Sequence, residues 1–148
     1  MKKRTLRSIA LVLVFCLVIP SFFAMAGAAD YTPLRYDTSS LCSASLVVSS
    51  SNYAECKGTI SLYSKYRSGT IDASLALCKS SDQKYWSIDK AWDYNGPGYN
   101  GATSAFTITR NRFVESGYYY KVTFVVDVYD SNGTYIETLR AASSVLYV

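Results

Sequence analysis

Hydrophobic and polar residues alternate along most of the chain beyond residue 40. From Tyr53 to Leu62, one side of a two-residue period collects Ala54, Cys56, Gly58, Ile60 and Leu62, and the other collects Tyr53, Glu55, Lys57, Thr59 and Ser61. Successive side chains of a strand point to opposite faces, so this run predicts a strand with one face in a core and the other in water. The preceding run sends Ala44, Leu46 and Val48 inward. Ser50-Ser51-Asn52 then turns the chain back, which sets Val48 across from Ala54 and Cys56 across from Leu46. A third run directs Ile71, Ala73, Leu75 and Leu77 inward, with Asp72, Ser74 and Cys78 outward. The fourth, Lys84 to Asp93, gathers Trp86, Ile88, Trp92 and also Lys90 on one face; an inward lysine is a device that blunts an edge strand. Phe106 and Ile108 mark the fifth. The last two runs, Tyr118 to Tyr129 and Thr134 to Val148, are joined by Asp130-Ser131-Asn132-Gly133, and the Asn132-Gly133 pair favours the positive backbone angles of a tight hairpin. With no amphipathic helical window, these seven runs predict an all-β antiparallel sandwich.

The segment ahead of these runs changes the charge picture. Residues 1–29 carry a basic stretch (Lys2 to Arg7), an apolar run (Ile9 to Ile19), Pro20 and a small-residue tail (Ala24-Met25-Ala26-Gly27-Ala28-Ala29), the three parts of a secretory signal peptide. Cleavage is expected between Ala26 and Asp30; the competing reading is an uncleaved anchor, since Ile9 to Ala29 is nearly long enough to span a bilayer. Cys16 lies inside the apolar run, away from the place of a lipidated cysteine. Removing the leader from 148 residues leaves 148 − 29 = 119, one domain over 30–148. It also removes four of the 15 basic residues, so the remaining 11 balance 11 acids and the formal +4 falls to zero. A nucleic-acid or acidic-membrane partner is therefore not expected, and neither is stable membrane insertion of the mature chain.

Gly117-Tyr118-Tyr119-Tyr120-Lys121-Val122-Thr123-Phe124 resembles the sixth strand of fibronectin type III and related immunoglobulin-like domains, which often read Gly-x-x-Tyr-x-Val-x-Val. The resemblance implies an immunoglobulin-like (fibronectin type III-like) fold in which the Tyr120 hydroxyl bonds backbone upstream, a tyrosine corner. Cys56-Lys57-Gly58-Thr59-Ile60, the Trp86 to Trp92 run and the Gly117 to Phe124 segment also resemble a family of short secreted bacterial proteins of unknown function. That family supplies a fold and an address, and no activity. Cys56 takes the second-strand position of the antibody inter-sheet disulfide, but the sixth strand offers Val122 or Phe124 in place of a cysteine.

Candidate chemistry is thin. Histidine is absent, which removes Ser-His-Asp and Cys-His nucleophiles, imidazole acid/base work and the commonest zinc ligand sets. The three cysteines left after cleavage are an odd number. The hairpin register sets Cys42 four residues from the partner of Cys56, roughly 13 Å along a strand against a Cα limit of about 7 Å for a disulfide. Outward-facing Cys78 is expected to be available for a disulfide-linked dimer. Asp127, Asp130, Asn132 and Glu137 superficially suggest a calcium loop, yet Val128 stands where an oxygen ligand is needed, so neither metal nor cofactor is expected. The acids are scattered with no sign of a cleft, and no enzyme is expected.

What remains is an excess of rings: 15% of the chain is aromatic, with 14 tyrosines. Trp92-Asp93-Tyr94-Asn95-Gly96-Pro97-Gly98-Tyr99-Asn100-Gly101 concentrates rings, amides and turn formers in the connection between the fourth and fifth runs. Trp92, Tyr94 and Tyr99 as stacking faces, with Asn95 and Asn100 reaching hydroxyls, would suit a sugar; a turn whose aromatics cap the core is the plainer alternative. Tyr94, Tyr99, Tyr119, Tyr129 and Tyr135 are expected to be largely exposed. The reading is a secreted, non-catalytic binding or adhesive module for an extracellular polymer or cell-surface component such as a glycan. The alternative is a toxin-like or antimicrobial effector acting on a neighbouring cell's envelope.

Overall fold

The computed structural model describes residues 36–98 and 105–148. They form eight strands and one short 3-10 turn at Ser64–Tyr66. The strands are β1 (Ser39–Val48), β2 (Tyr53–Leu62), β3 (Thr70–Ser80), β4 (Ser87–Pro97), β5 (Phe106–Phe113), β6 (Tyr119–Tyr129), β7 (Tyr135–Ala142) and β8 (Leu146–Tyr147). All pairings are antiparallel. One sheet runs β1-β2-β5 and the other β4-β3-β6-β7, with β8 joining β6 beyond the end of β7. The leader and its cleavage window lie outside the described residues, as do Tyr99 and Asn100. No helix among the described residues is long and apolar enough to cross a membrane.

Alternation builds the core as the sequence pattern requires. Ile60, Leu62, Ile71, Leu75, Leu77, Val122, Phe124, Val126, Val128 and Leu139 are all but fully buried. Val48 pairs with Ala54 and Leu46 with Cys56, the expected hairpin register, and Cys42 pairs with Ile60. Gly58 has a steric reason: a Cβ there would lie 2.5 Å from an atom of the Phe124 ring, which crosses from the opposite sheet. The Phe124 ring therefore sits where β2 has no side chain.

Two hydroxyls lace the ends of the sandwich. Tyr120 is buried at the start of β6; its O–H donates to the Glu115 carbonyl at 3.2 Å and accepts the Glu115 N–H at 3.0 Å. Tyr36 does the same to Arg140 on β7, donating at 2.7 Å and accepting at 3.0 Å. Next to it, buried Thr38 donates its N–H to Glu137 Oε1 at 2.7 Å and its hydroxyl to the same oxygen. The segment ahead of β1 is thereby tied to the far sheet.

Four expectations are corrected. Trp86 and Ile88 are not core residues. A register shift faces Leu77 with Lys90 and Cys78 with Ile88, leaving Asp89 as an extra residue on β4. Such a bulge reverses which side a residue faces. Ile88 is accordingly 66% exposed, and Trp86 lies outside under Lys121, whose Nζ is 4.1 Å from the ring centroid. Second, the final run is broken at residues 143–145 into β7 and β8, and the Ser143 hydroxyl takes over as acceptor for the Val122 N–H. Third, only Gly133 in its turn takes a positive φ (+80°), with Asn132 in ordinary backbone. The turn is organised instead by Asp130, whose Oδ1 accepts the N–H groups of Asn132 and Thr134 at 2.8 Å each. Fourth, Cys78 is buried, although it faces the outer side of its sheet. It sits between Ile88 and Lys121 on neighbouring strands, with Sγ 3.8 Å from Thr123 Oγ1. A Cys78-linked dimer would require this covered thiol to be uncovered.

Candidate functional site

Trp92, Tyr94 and Asn95 belong to β4, not to a loop, because the strand continues to Pro97. Cross-strand neighbours share a face, and Trp92 and Tyr94 pair with the core residues Leu75 and Ala73. Both rings are half-buried against the core. Tyr94 packs on Phe106 with centroids 4.4 Å apart, and its hydroxyl donates to the Pro97 carbonyl at 3.0 Å. Its face and its polar tip are thus already occupied. Asn95 is exposed on the other side of the strand. The structure does not bring these three together as a presented cluster.

Of the other tyrosines expected at the surface, Tyr135 is exposed, while Tyr119 and Tyr129 are half-buried. Tyr119 packs against Tyr147 and Tyr129 against Tyr135, at 4.9 and 6.0 Å between centroids. Tyr135 also contacts the Thr138 hydroxyl, which donates to Asp127. The Asp130, Asn132 and Asp127 side chains are spread along this hairpin, and the described residues contain no group of acids, cysteines or histidines able to hold a metal.

Two exposed rings, Tyr53 and Phe113, meet on the outer face of β1-β2-β5. Tyr53 pairs with Phe113, Glu55 with both Val47 and Asn111, and Lys57 with Ser45 and Thr109. Tyr53, Phe113 and Val47 are 57%, 55% and 61% exposed, although strand positions facing water are usually polar. The two rings meet edge to face at 5.7 Å. Val47, Ser49, Tyr53, Glu55 and Asn111 line a shallow, open depression, in which the Ser49 hydroxyl also receives the Tyr53 N–H at 3.2 Å. Apolar ring area therefore stands beside one carboxylate, one amide and one hydroxyl, a mixture that meets C–H surface and hydroxyl groups together. Sequence reasoning placed Tyr53 and Glu55 on the wet face but did not single them out. The signal was there: an aromatic or branched residue at an outward position of three separate runs.

Burial pushes the Cys42 thiol up to about 11, and burial with Asp89 and Glu55 nearby does the same to Cys56. A thiol so raised is the unreactive form at neutral pH. The N–H groups of Tyr85 and Lys84 hold the Asp82 carboxyl below its ordinary range, and that of Thr134 does so for Asp130. Lys79 and Glu115 pair at 2.5 Å, which raises the ammonium and lowers the carboxyl. These are structural contacts at turns and at the Glu115 corner.

No protein-family model matches the chain, and no curated protein matches it closely enough to count as a relative.

Proposed function

We propose that this protein is a secreted, non-catalytic binding or adhesive module on an immunoglobulin-like, fibronectin type III-like sandwich, and that it recognises an extracellular polymer of glycan type. The leader-like residues 1–29 support secretion. The order β1-β2-β5 against β4-β3-β6-β7, with the Tyr120 hydroxyl on the backbone of Glu115, supports that sandwich class. The observation that carries the binding reading is the exposed pair Tyr53 and Phe113 beside Glu55 and Asn111. Tyrosine and phenylalanine supply rigid contact area at low entropic cost, and the neighbouring carboxylate and amide orient hydroxyls. In this reading the recognising surface is the sheet face that carries Tyr53 and Phe113.

The test is sedimentation of the protein with insoluble cell-wall material. A Tyr53→Ala, Phe113→Ala variant is expected to stay in the supernatant while keeping the cooperative unfolding of the wild type, since both rings are largely solvent-facing. A wild type that binds no wall material, or a double variant that binds as well as wild type, overturns the reading.

A further inference from the structure

Around the edge from that face, β5 and β4 run alongside one another as the rims of the two sheets. Two contacts fix their alignment: the Tyr94 ring on Phe106, and Arg112 Nε at 3.3 Å from Asp89 Oδ2. Between these points lie Trp92 and Lys90 on β4, and Ile108 and Arg110 on β5. Lys90 pairs with Leu77 and Arg110 with Cys56, so both sit at inward positions of their strands, yet both are exposed because the core ends at this rim. Among the described residues the ion pairs are Lys79 with Glu115 and Arg112 with Asp89. Among the described residues Lys90 and Arg110 therefore have no carboxylate within ion-pair distance, and Arg110 Nη1 donates to the Thr109 carbonyl at 2.9 Å. Three cations and one acid share the seam, a local surplus of positive charge in a chain whose residues 30–148 balance to zero.

We propose that this seam grips anionic groups, carboxylate or phosphodiester, carried by the polymer. The inference rests on the polymer-binding reading above and names the ligand's charge. Alternation along β5 supplies the geometry: Asn111 and Phe113 share the outer face, where Asn111 lines the depression, while Arg110 and Arg112 take the rim side. A polymer lying across β5 meets ring and amide on one side and guanidinium groups on the other. Guanidinium suits this role because its planar donors match two anionic oxygens at once. Arg112 is held in place by Asp89, and Arg110 and Lys90 carry the unbalanced charge.

Binding of the purified protein to three immobilised polymers tests this: polygalacturonate for carboxylate, poly(glycerol phosphate) for phosphodiester, and dextran as the neutral reference. The expected result is tighter binding to at least one anionic polymer than to dextran, weakening as salt rises. An Arg110→Gln, Lys90→Gln variant, with unchanged unfolding in urea, is expected to lose about tenfold in affinity, or about 1.4 kcal/mol, and to show a shallower salt dependence. Which anionic polymer binds identifies the group. Equal binding to dextran, or a double variant that binds like wild type, overturns the seam while leaving the ring site standing. Absence of binding to all three polymers and to wall material overturns both.

Discussion

At the scale of single residues, two positions concentrate what the fold requires. Tyr120 places a hydroxyl in the core with both of its hydrogen-bonding roles filled by the Glu115 backbone. Tyr120→Phe keeps the ring but leaves the Glu115 N–H without its partner, so a loss of about 1 to 3 kcal/mol is expected from urea unfolding. Tyr119→Phe, half-buried against Tyr147, is expected to cost far less, and equal losses would place the corner's contribution elsewhere. Gly58 is the second position. A methyl group there falls on Phe124 ring atoms, and Phe124 is itself fully buried. Gly58→Ala should cost about 1 to 3 kcal/mol by overpacking, and pairing it with Phe124→Leu should recover part of that loss. Tyr120 was legible from its motif. The role of Gly58 was not, because the ring that needs its space lies 66 residues further along the chain and is brought there only by the stacking of the sheets.

At the scale of elements, alternation was readable wherever a strand had one wet and one dry face, as in β2 and β6. It failed where one residue broke the period. The extra residue at Asp89 separates Trp86 and Ile88 from Trp92, so a face that looks continuous in sequence is divided between the two sides of the sheet. The ring site was hidden for another reason: Tyr53 and Phe113 meet through β2–β5 pairing across a long separation, whereas the Trp92 to Gly101 cluster is conspicuous in sequence because it is local. The same bulge has a use. β4 is an outermost strand of eleven residues, and its bulge, Lys90 at an inward position and terminal Pro97 are features that discourage pairing with another chain. The wild type is expected to sediment as a monomer. Lys90→Ile, which removes the inward charge and raises strand propensity, is expected to self-associate as concentration rises; an equally monomeric variant would remove Lys90 from this role. The β6–β7 turn gives a third test. Gly133 at φ +80° admits alanine only with strain, about 1 kcal/mol, whereas Asn132→Ala should cost less, because the backbone there is ordinary and the N–H bond to Asp130 Oδ1 is kept while only a solvent-facing side-chain bond to Asp130 is lost.

At the scale of the whole molecule, the shifted groups define a pH window for stability. Asp82, Glu115 and Asp130 all titrate below their ordinary values of 3.8, 4.5 and 3.8 in the fold. The unfolded chain therefore binds protons more readily, and the stability these carboxylates supply is complete above those values and lost as pH falls through and below them. All three are solvent-facing, so each contribution is small and screened. The thiols act on the other side. Cys42 and Cys56 titrate near 11 against an ordinary 9.0, so the folded protein holds those protons longer. Their contribution is complete below about pH 9 and disappears as pH rises toward 11, and the raised Lys79 ammonium adds a loss of the same sign above its ordinary 10.5. Urea midpoints are expected to be level between about pH 5 and 8 and to fall on both sides. The alkaline fall should be shallower in a Cys42→Ala, Cys56→Ala variant, whose overall midpoint is lower because it leaves space in the core. The same burial predicts that native Cys42 and Cys56 react slowly with a thiol reagent at pH 8, and that all three described cysteines, free in the fold, titrate once the chain is unfolded without reductant. Fast reaction of Cys42 and Cys56 in the native state, together with an unchanged alkaline slope in the double variant, would show that burial does not hold these two protons, on Cys56 in the core and on Cys42 half-buried against it.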